Sequence, residues 1–219
     1  MLGVRTESFD AENLKHIQLT RETLVHGWVG VVRGALKSLG IDQPKPRVDG
    51  APPEELLPFY GRKLWNSTMG EIRRDWDAGQ FVFIKPLKMH KAFTGHVTSG
   101  EIRDLIQTAS FPDDLEVLCS EVVEFIVEYR LFVHNGMIVD CRRYRGDYRR
   151  MVDIDVTALD CVKAFKGAPV AYSLDLGLLS DGRTVVVEVN DAFSLGAYGM
   201  SSIPYTQMCI DRWEEMMLA

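Results

Sequence analysis

Two dipeptides typical of tight β-hairpin turns, Asn135-Gly136 and Asp181-Gly182, each lie between runs of β-branched and other apolar residues. Asn-Gly and Asp-Gly favour the type I′ turn because both of its central residues need a positive φ. A two-residue turn determines which residues of the two strands face each other, and therefore which side chains share a face of the sheet. These hairpins constrain the fold more strongly than any other part of the sequence.

The rest of the chain alternates between helical and strand patterns. Apolar spacing, capping residues and stop signals predict helices over residues 24–39, 64–76, 99–108, 156–165 and 205–218. Strands are predicted over residues 81–84, over 116–144 with a break at the first turn, and on both sides of the second turn. The proline-rich residues 42–58 predict a linker or an extended loop. This mixture predicts an α+β fold with largely antiparallel sheets.

Composition and charge exclude several classes of protein. The 219 residues carry a formal charge of −6, so no overall basic field attracts nucleic acid or a membrane surface. Residues 1–14 lack the apolar core of a signal peptide, and the most apolar windows are too short to cross a bilayer. The 4 cysteines show no CxxC or Cys/His cluster. We therefore expect a soluble, cytoplasmic protein without a nucleic-acid partner; the sequence does not indicate its oligomeric state.

The second hairpin predicts a cluster of oxygen ligands. With Asp181-Gly182 as the turn, Leu178 pairs with Val185, Asp175 faces Glu188, and Ser173 faces Asn190. Asp175, Glu188 and Asn190 then project from one face, and facing residues have Cβ atoms about 4.5–5.5 Å apart. Two carboxylates and an amide oxygen suit a hard divalent cation such as Mg²⁺. The alternative is a solvent-facing hairpin edge on which both acids point into water.

The first hairpin predicts a charged face. With Asn135-Gly136 as the turn, Glu128 pairs with Arg143, and Arg130 pairs with Cys141 on the same face. These residues form either an exposed ion pair, which stabilises a fold little, or a surface that orients an anionic ligand.

A third cluster follows the strand at residues 81–84: Lys85, Lys88, His90, Lys91, Thr94 and Gly95. A lysine at a strand end before a loop is a reasonable phosphate ligand, although the Walker motif is missing. A solvated charged loop is the alternative.

Taken in order, these segments resemble the ATP-grasp superfamily. The matching stretches are Phe83-Ile84-Lys85-Pro86, residues 122–133, residues 173–177 and residues 181–191. The resemblance covers roughly residues 60 to 200, and the Asp…Glu-x-Asn ending is its most specific part. More narrowly, the chain resembles a bacterial and phage branch in which arginine replaces the first of the two family lysines.

The resemblance implies a role for each matching residue. Asp175, Glu188 and Asn190 correspond to the Mg²⁺ ligands. The residues that correspond to ATP-binding positions are Lys85 and Arg62 for the phosphates (with Lys63 as the alternative to Arg62), Glu124-Phe125-Ile126 for adenine, and Glu128 for the ribose. Arg143, or alternatively Arg130, corresponds to the arginine that faces the transferring phosphoryl group. Ser194 and Tyr198 are either substrate contacts or part of a structural turn.

The resemblance also implies a domain plan and a reaction. It predicts a reduced N-terminal region (1–60) and two α+β lobes, 61–120 and 121–219, that clamp a nucleotide. The implied function is an ATP- and Mg²⁺-dependent ligase that joins a small-molecule or peptide carboxylate to an amine through an acyl phosphate. A phosphotransferase and a non-catalytic ATP-binding module are the alternatives, because the loop after Lys85 is rich in charge rather than in glycine.

Overall fold

A first antiparallel sheet occupies the middle of the chain. The structure is a computed structural model that describes residues 5–10, 12–41, 50–75, 81–87, 93–99 and 101–218. The strands of this sheet are β1 (Leu64–Thr68), β2 (Val82–Pro86), β3 (His96–Thr98) and β4 (Glu116–Ser120), in the order β1-β4-β2-β3. Helices α2 (Met69–Asp75) and α3 (Ile102–Thr108) lie between these strands in the sequence. Met69 and Ile72 of α2 pack with Ile84 of β2 and Val117 of β4 in the core of this lobe.

A second antiparallel sheet is built from the two predicted hairpins. Its strands are β5 (Phe125–His134), β6 (Met137–Gly146), β7 (Ala171–Leu179) and β8 (Thr184–Asp191), in the order β6-β5-β7-β8. Both central strands are largely buried, and β7 is buried along its whole length. One face of β5 and β7 carries Leu131, Leu174 and their apolar neighbours, which pack on helix α4 (Leu159–Ala164). The opposite face carries the charged residues of the candidate site.

The N-terminal part of the chain packs on the second sheet's side of the molecule. Helix α1 (Val29–Ser38) buries Val32 and Leu36 against Trp213 and Met216 of the C-terminal helix α5 (Ser202–Leu218). Short 3₁₀-helices cover Leu14–His16, Glu54–Phe59 and Ala192–Ser194, and a π-helical turn covers Ile154–Ala158. Within the described ranges no helix is both long and apolar enough to span a bilayer.

The α+β class with antiparallel sheets is confirmed, and one predicted helix is wrong. Residues 64–68 form strand β1 because they pair with β4, with Trp65 opposite Cys119 and Thr68 opposite Glu116. Tertiary pairing therefore overrides the local helical pattern, and only the part from Met69 onward is helical. Helix α1 also begins later than predicted, at Val29 rather than at residue 24.

Candidate functional site: a charged cleft between the two sheets

The hairpin of β7 and β8 brings the three predicted oxygen ligands together. Asp175 faces Glu188 and Ser173 faces Asn190, as predicted. The predicted pairing of Leu178 with Val185 is wrong, because Leu178 pairs with Thr184. The turn has three loop residues rather than two: Leu179 bonds Arg183, and Gly182 has a φ of 87°. A bulge opposite the step from Asp175 to Leu176 restores the predicted register beyond it.

The hairpin of β5 and β6 differs from its predicted register. Its two-residue turn is confirmed, since Asn135 and Gly136 have φ values of 50° and 71° and His134 pairs with Met137. Two irregularities then shift the pairing, so that Glu128 faces Arg145 instead of Arg143. Arg130 likewise faces Arg142 instead of Cys141.

Arg143 consequently lies away from the charged face. It pairs with Tyr129, whose side chain belongs to the apolar core on the other side of the sheet. The exposed Arg143 guanidinium donates to the Gly146 carbonyl at 2.9 Å. Of the two arginines predicted to face the phosphoryl group, the structure places only Arg130 in the cleft.

Arg130 makes a buried bidentate ion pair with Asp175. Its Nε and Nη2 donate to the two carboxylate oxygens at 2.9 and 2.6 Å, and Asp175 is only 1% exposed. The guanidinium carbon lies 5.0 Å from the centre of the Tyr198 ring and 5.9 Å from that of Tyr144. These aromatic contacts and the fork of the arginine hold its position, so Tyr198 belongs to the site.

Glu188 lies between the two cations of the cleft. One of its oxygens is 4.0 Å from Arg130 Nη2, and the other is 4.0 Å from Lys85 Nζ. The amide nitrogen of Asn190 donates to Glu188 at 3.0 Å, which leaves the amide oxygen as an acceptor. Lys85 comes from β2 of the first sheet, whereas Glu188 comes from β8 of the second. The cluster therefore joins the two lobes.

Burial changes the protonation behaviour of this cluster. It raises the pKa of Asp175 to about 6, although the Arg130 hydrogen bonds act in the opposite direction. The pKa of Lys85 is lowered by burial and by Arg62, while Glu188 acts to raise it. For Arg130, burial alone would lower the pKa, but the bonds to Asp175 raise it above its ordinary value. At neutral pH the cleft thus holds opposite charges close together in a poorly solvated place.

The donor set fits a hard divalent cation. Asp175, Glu188 and Asn190 supply only oxygen ligands, and each carboxylate oxygen has a second lone pair besides the one taken by an arginine or amide. Among the described residues, no group of three or more His, Cys, Asp or Glu side chains converges as a metal site. A metal here would therefore depend on the Asn190 amide and on oxygens of a ligand in addition to the two acids.

A cavity of about 320 Å³ lies at the back of the cleft, where residues 121–124 link β4 to β5. We call it the hinge cavity. Its lining includes Ser120, Glu121, Val122, Val123, Phe125, Arg62, Lys85, Glu128, Tyr144 and Arg145. The linker residues that line it precede the predicted adenine contacts: Phe125 contributes, but Glu124 and Ile126 do not.

Glu128 points into the hinge cavity and already has two partners. Its oxygens accept hydrogen bonds from the Tyr144 hydroxyl at 2.7 Å and from Arg145 Nη1 at 2.8 Å. Sequence reasoning assigned Arg143 to this place and missed Tyr144 and Arg145. An aromatic residue and an arginine on the same strand were the available signal, but the register was needed to use it.

The structure distinguishes Arg62 from Lys63. Arg62 lines the hinge cavity, and its guanidinium donates to Ser120 Oγ and to the carbonyls of Tyr60, Val186 and Val187. Burial lowers its pKa. Lys63 instead lies over the Trp65 ring at 5.6 Å. Arg62 therefore connects the first lobe to β8 at the edge of the cavity, and Lys63 is not among the residues that line it.

Gly177 provides a test of the hinge cavity. A Cβ at this position would lie 2.3 Å from the Phe125 ring, which lines the cavity and lies 5.5 Å from the Arg62 guanidinium. We expect Gly177→Ala to displace that ring and to weaken nucleotide binding about tenfold, which corresponds to an overpacking cost of about 1.4 kcal/mol. Isothermal titration calorimetry with ATP measures the effect. The matched control is Gly34→Ala in α1, where a Cβ meets nothing within 4 Å; equal affinities for the two variants would contradict the assignment.

A second cavity, of about 410 Å³, opens on the other side of the cluster. Tyr60, Lys85 and Glu188 line both cavities. We call the second one the aromatic cavity, because its lining includes Trp28, Tyr60, Phe93 and Phe193 together with Pro52, Pro53 and Pro86. Ser194 also lines it, and the Ser194 hydroxyl donates to the Gly27 carbonyl at 2.6 Å. Lys88, His90 and Lys91, predicted as parts of a phosphate-binding loop, lie outside the described residues.

Two antiparallel sheets that close on a charged cleft, with a linker at its back, define a two-lobed clamp fold. The chain belongs to the ATP-grasp domains, in the second family of its clade, and the model of that family matches residues 59–208. The predicted ATP-grasp membership is therefore confirmed. None of the curated proteins compared with the chain matches it.

Solved structures of ligases share this fold. The D-alanine–D-alanine ligase from Bacillus anthracis complexed with ATP is 20% identical, with a TM-score of 0.50, over 86% of this chain and 73% of that one. A RimK-domain ATP-grasp protein from Sphaerobacter thermophilus is 14% identical, with a TM-score of 0.48, over 70% and 60%. The ATP-grasp ligase PsnB complexed with a minimal precursor is 17% identical, with a TM-score of 0.41, over 72% and 54%. The chain thus spans little more than half the length of these last two proteins.

Proposed function

We propose that the chain is an ATP- and Mg²⁺-dependent ligase that joins a carboxylate to an amine through an acyl phosphate. The observation that carries this proposal is the position of Lys85 and Glu188, which line both cavities of the cleft. A group bound in the hinge cavity and a group bound in the aromatic cavity would meet at this charged pair. Membership of the ATP-grasp family makes ATP the natural occupant of the first cavity.

The hinge cavity offers a place for each part of ATP. Backbone groups of residues 121–123 would read the adenine, and Glu128 would accept a ribose hydroxyl after releasing Tyr144 or Arg145. Arg62 and Lys85 would lie along the phosphates as cationic donors. Compared with the sequence-based assignment, the adenine contacts move toward β4 and Arg143 loses its place to Arg130.

The first chemical step transfers the terminal phosphoryl group. An oxygen of the substrate carboxylate attacks the γ-phosphorus, the bond from that phosphorus to the bridging oxygen breaks, and ADP leaves. Arg130 and Lys85 would stabilise the negative charge that develops on the phosphoryl oxygens. Bound Mg²⁺, held by Asp175, Glu188 and Asn190, would offset charge on the same oxygens.

The second step forms the new bond. The amine attacks the carbonyl carbon of the acyl phosphate, the carbon–oxygen bond to the phosphate breaks, and inorganic phosphate leaves while the nitrogen loses a proton. The chain must keep water from the acyl phosphate, since hydrolysis would waste it. Burial of Arg130 and Asp175 behind the Tyr144 and Tyr198 rings favours such exclusion.

Product analysis tests this proposal. Purified protein with ATP, Mg²⁺ and a pool of amino acids and peptides should release ADP and yield a condensed product in mass spectra, and the Lys85→Ala variant should yield neither. An acceptor that gains a phosphoryl group would identify a phosphotransferase. Mg-ATP that is bound in calorimetry but never consumed would identify a binding module.

A further inference from the structure

The walls of the aromatic cavity come from three separate parts of the chain. Trp28, Val29 and residues 50–53 belong to the N-terminal region, Phe93 to Gly95 follow β2, and residues 188–194 end β8. The small N-terminal region therefore supplies one complete side of a cavity that adjoins the reaction centre. Trp28 precedes the first residue of α1 and is 78% exposed, so its ring is accessible from the cavity.

Charge is confined to one end of this cavity. Among the described lining residues, the charged ones are Lys85, Glu188 and Asp191. The two Asp191 oxygens accept hydrogen bonds from Arg212 at 2.8 and 2.7 Å, so this carboxylate is already paired. Away from the Lys85–Glu188 end, the described lining is aromatic, aliphatic, proline or small. A charged group of a ligand would lose its hydration there without gaining a counter-ion from these residues.

The size of the cavity limits its occupant. A volume of about 410 Å³ lies in the lower part of the range of about 300–1,000 Å³ found for small-molecule sites. Space of this size holds one bulky amino-acid residue or two small ones rather than a long peptide. Aromatic and proline walls gain most from a flat apolar group, which stacks and buries area at once.

We propose that the aromatic cavity binds the substrate group that meets the γ-phosphate, and that this group carries an uncharged apolar or aromatic side chain, with Trp28 as a specificity-determining contact. The inference rests on the proposed function in one respect only, namely that the reaction centre lies at Lys85 and Glu188. It makes the N-terminal region a selector of the substrate side chain.

Calorimetric binding of defined probes tests the inference. L-phenylalaninamide offers an amine and N-acetyl-L-phenylalanine offers a carboxylate, so one of them suits the site whichever substrate group enters. L-lysinamide and N-acetyl-L-aspartate are their charged counterparts. With Mg²⁺ and the non-hydrolysable analogue AMPPNP present, at least one aromatic probe should bind about tenfold more tightly than its charged counterpart. Equal or tighter binding of the charged probes would overturn the proposal.

Variants of Trp28 locate the effect. Trp28→Ala should weaken the aromatic probe about tenfold and leave AMPPNP affinity unchanged, whereas Trp28→Phe should retain most of the affinity. The matched control is Tyr148→Ala, which removes a ring that is 75% exposed and lies outside the cavity lining. An unchanged probe affinity in Trp28→Ala would also overturn the proposal.

Failure of the proposed function gives a different result. If AMPPNP does not bind to the unmodified protein, the ATP assignment is wrong. The same probes are therefore also titrated without nucleotide, where the preference for an aromatic group and its dependence on Trp28 must still be seen. A protein that binds AMPPNP but shows no aromatic preference keeps the ligase proposal and loses this one.

Discussion

Replacing Glu188 and Asn190 together by alanine is expected to abolish the Mg²⁺-dependent part of ATP binding. Both side chains lie on β8 in the cleft, where they are joined by a 3.0 Å hydrogen bond, and Glu188 faces Asp175. Loss of a partner outside the ligand set already costs a metal site about 10–100-fold in affinity, so removal of two ligands should cost at least about 100-fold. Calorimetry with ATP in Mg²⁺ and in EDTA isolates the metal-dependent part.

The control for this experiment is Glu214→Ala, which removes an exposed carboxylate on α5 outside both cavity linings. It should leave both affinities unchanged. The single variants should lie between the control and the double variant. A double variant that melts like the unmodified protein and still binds Mg-ATP with the same affinity would show that the β7–β8 hairpin does not hold the metal.

Replacing Arg212 by methionine is expected to destabilise the protein more than any change in the cleft. Arg212 is completely buried on α5 and is bonded to Asp191 at the end of β8 and to Glu215 at 2.6 Å. Glu215 in turn accepts the Val170 amide at 3.0 Å, just before β7 begins. Removal of one member of a buried ion pair costs about 3–5 kcal/mol, because the other charge stays buried without a partner. For a chain of this size that corresponds to a melting temperature lower by roughly 6–20 °C.

The matched control is Arg149→Met, because Arg149 also holds an aspartate bidentately but its side chain is 73% exposed. It should change the melting temperature little. Adding Asp191→Asn to Arg212→Met removes the stranded charge and should recover part of the loss. Differential scanning calorimetry gives all three values, and similar melting temperatures for the Arg212 and Arg149 variants would refute the structural role assigned to the buried cluster.

The candidate site could be predicted from the sequence where local rules are strong. The Asn135-Gly136 turn has the predicted two residues, since its positive φ values suit asparagine and glycine. The pairing of Asp175 with Glu188 was also predicted, but two deviations cancel to produce it. The Asp181-Gly182 loop is one residue longer than assumed, and the bulge in β8 shifts the register back by one.

The same kind of deviation does not cancel in the other hairpin. Two irregularities between β5 and β6 shift the pairing in the same direction, so Arg143 turns to the core face and Arg145 reaches Glu128. Bulges depend on how an edge strand twists over the neighbouring strand and on which side chains can be buried. Such conditions are absent from the local sequence of β6, so no pattern in it predicts them.

The sequence by itself determined the two hairpins, the α+β class, the ATP-grasp family and the chemical types that meet in the cleft. These depend on turn conformation, on the period of two along a strand and on a motif whose residues are close in the chain. Only the tertiary structure decided that Arg62 rather than Lys63 lines the hinge cavity, that Arg130 holds Asp175, and that the N-terminal region forms a wall of the aromatic cavity. Each of these contacts joins residues that are distant in sequence, and they meet only because burial of the apolar faces brings the lobes and the N-terminal region together.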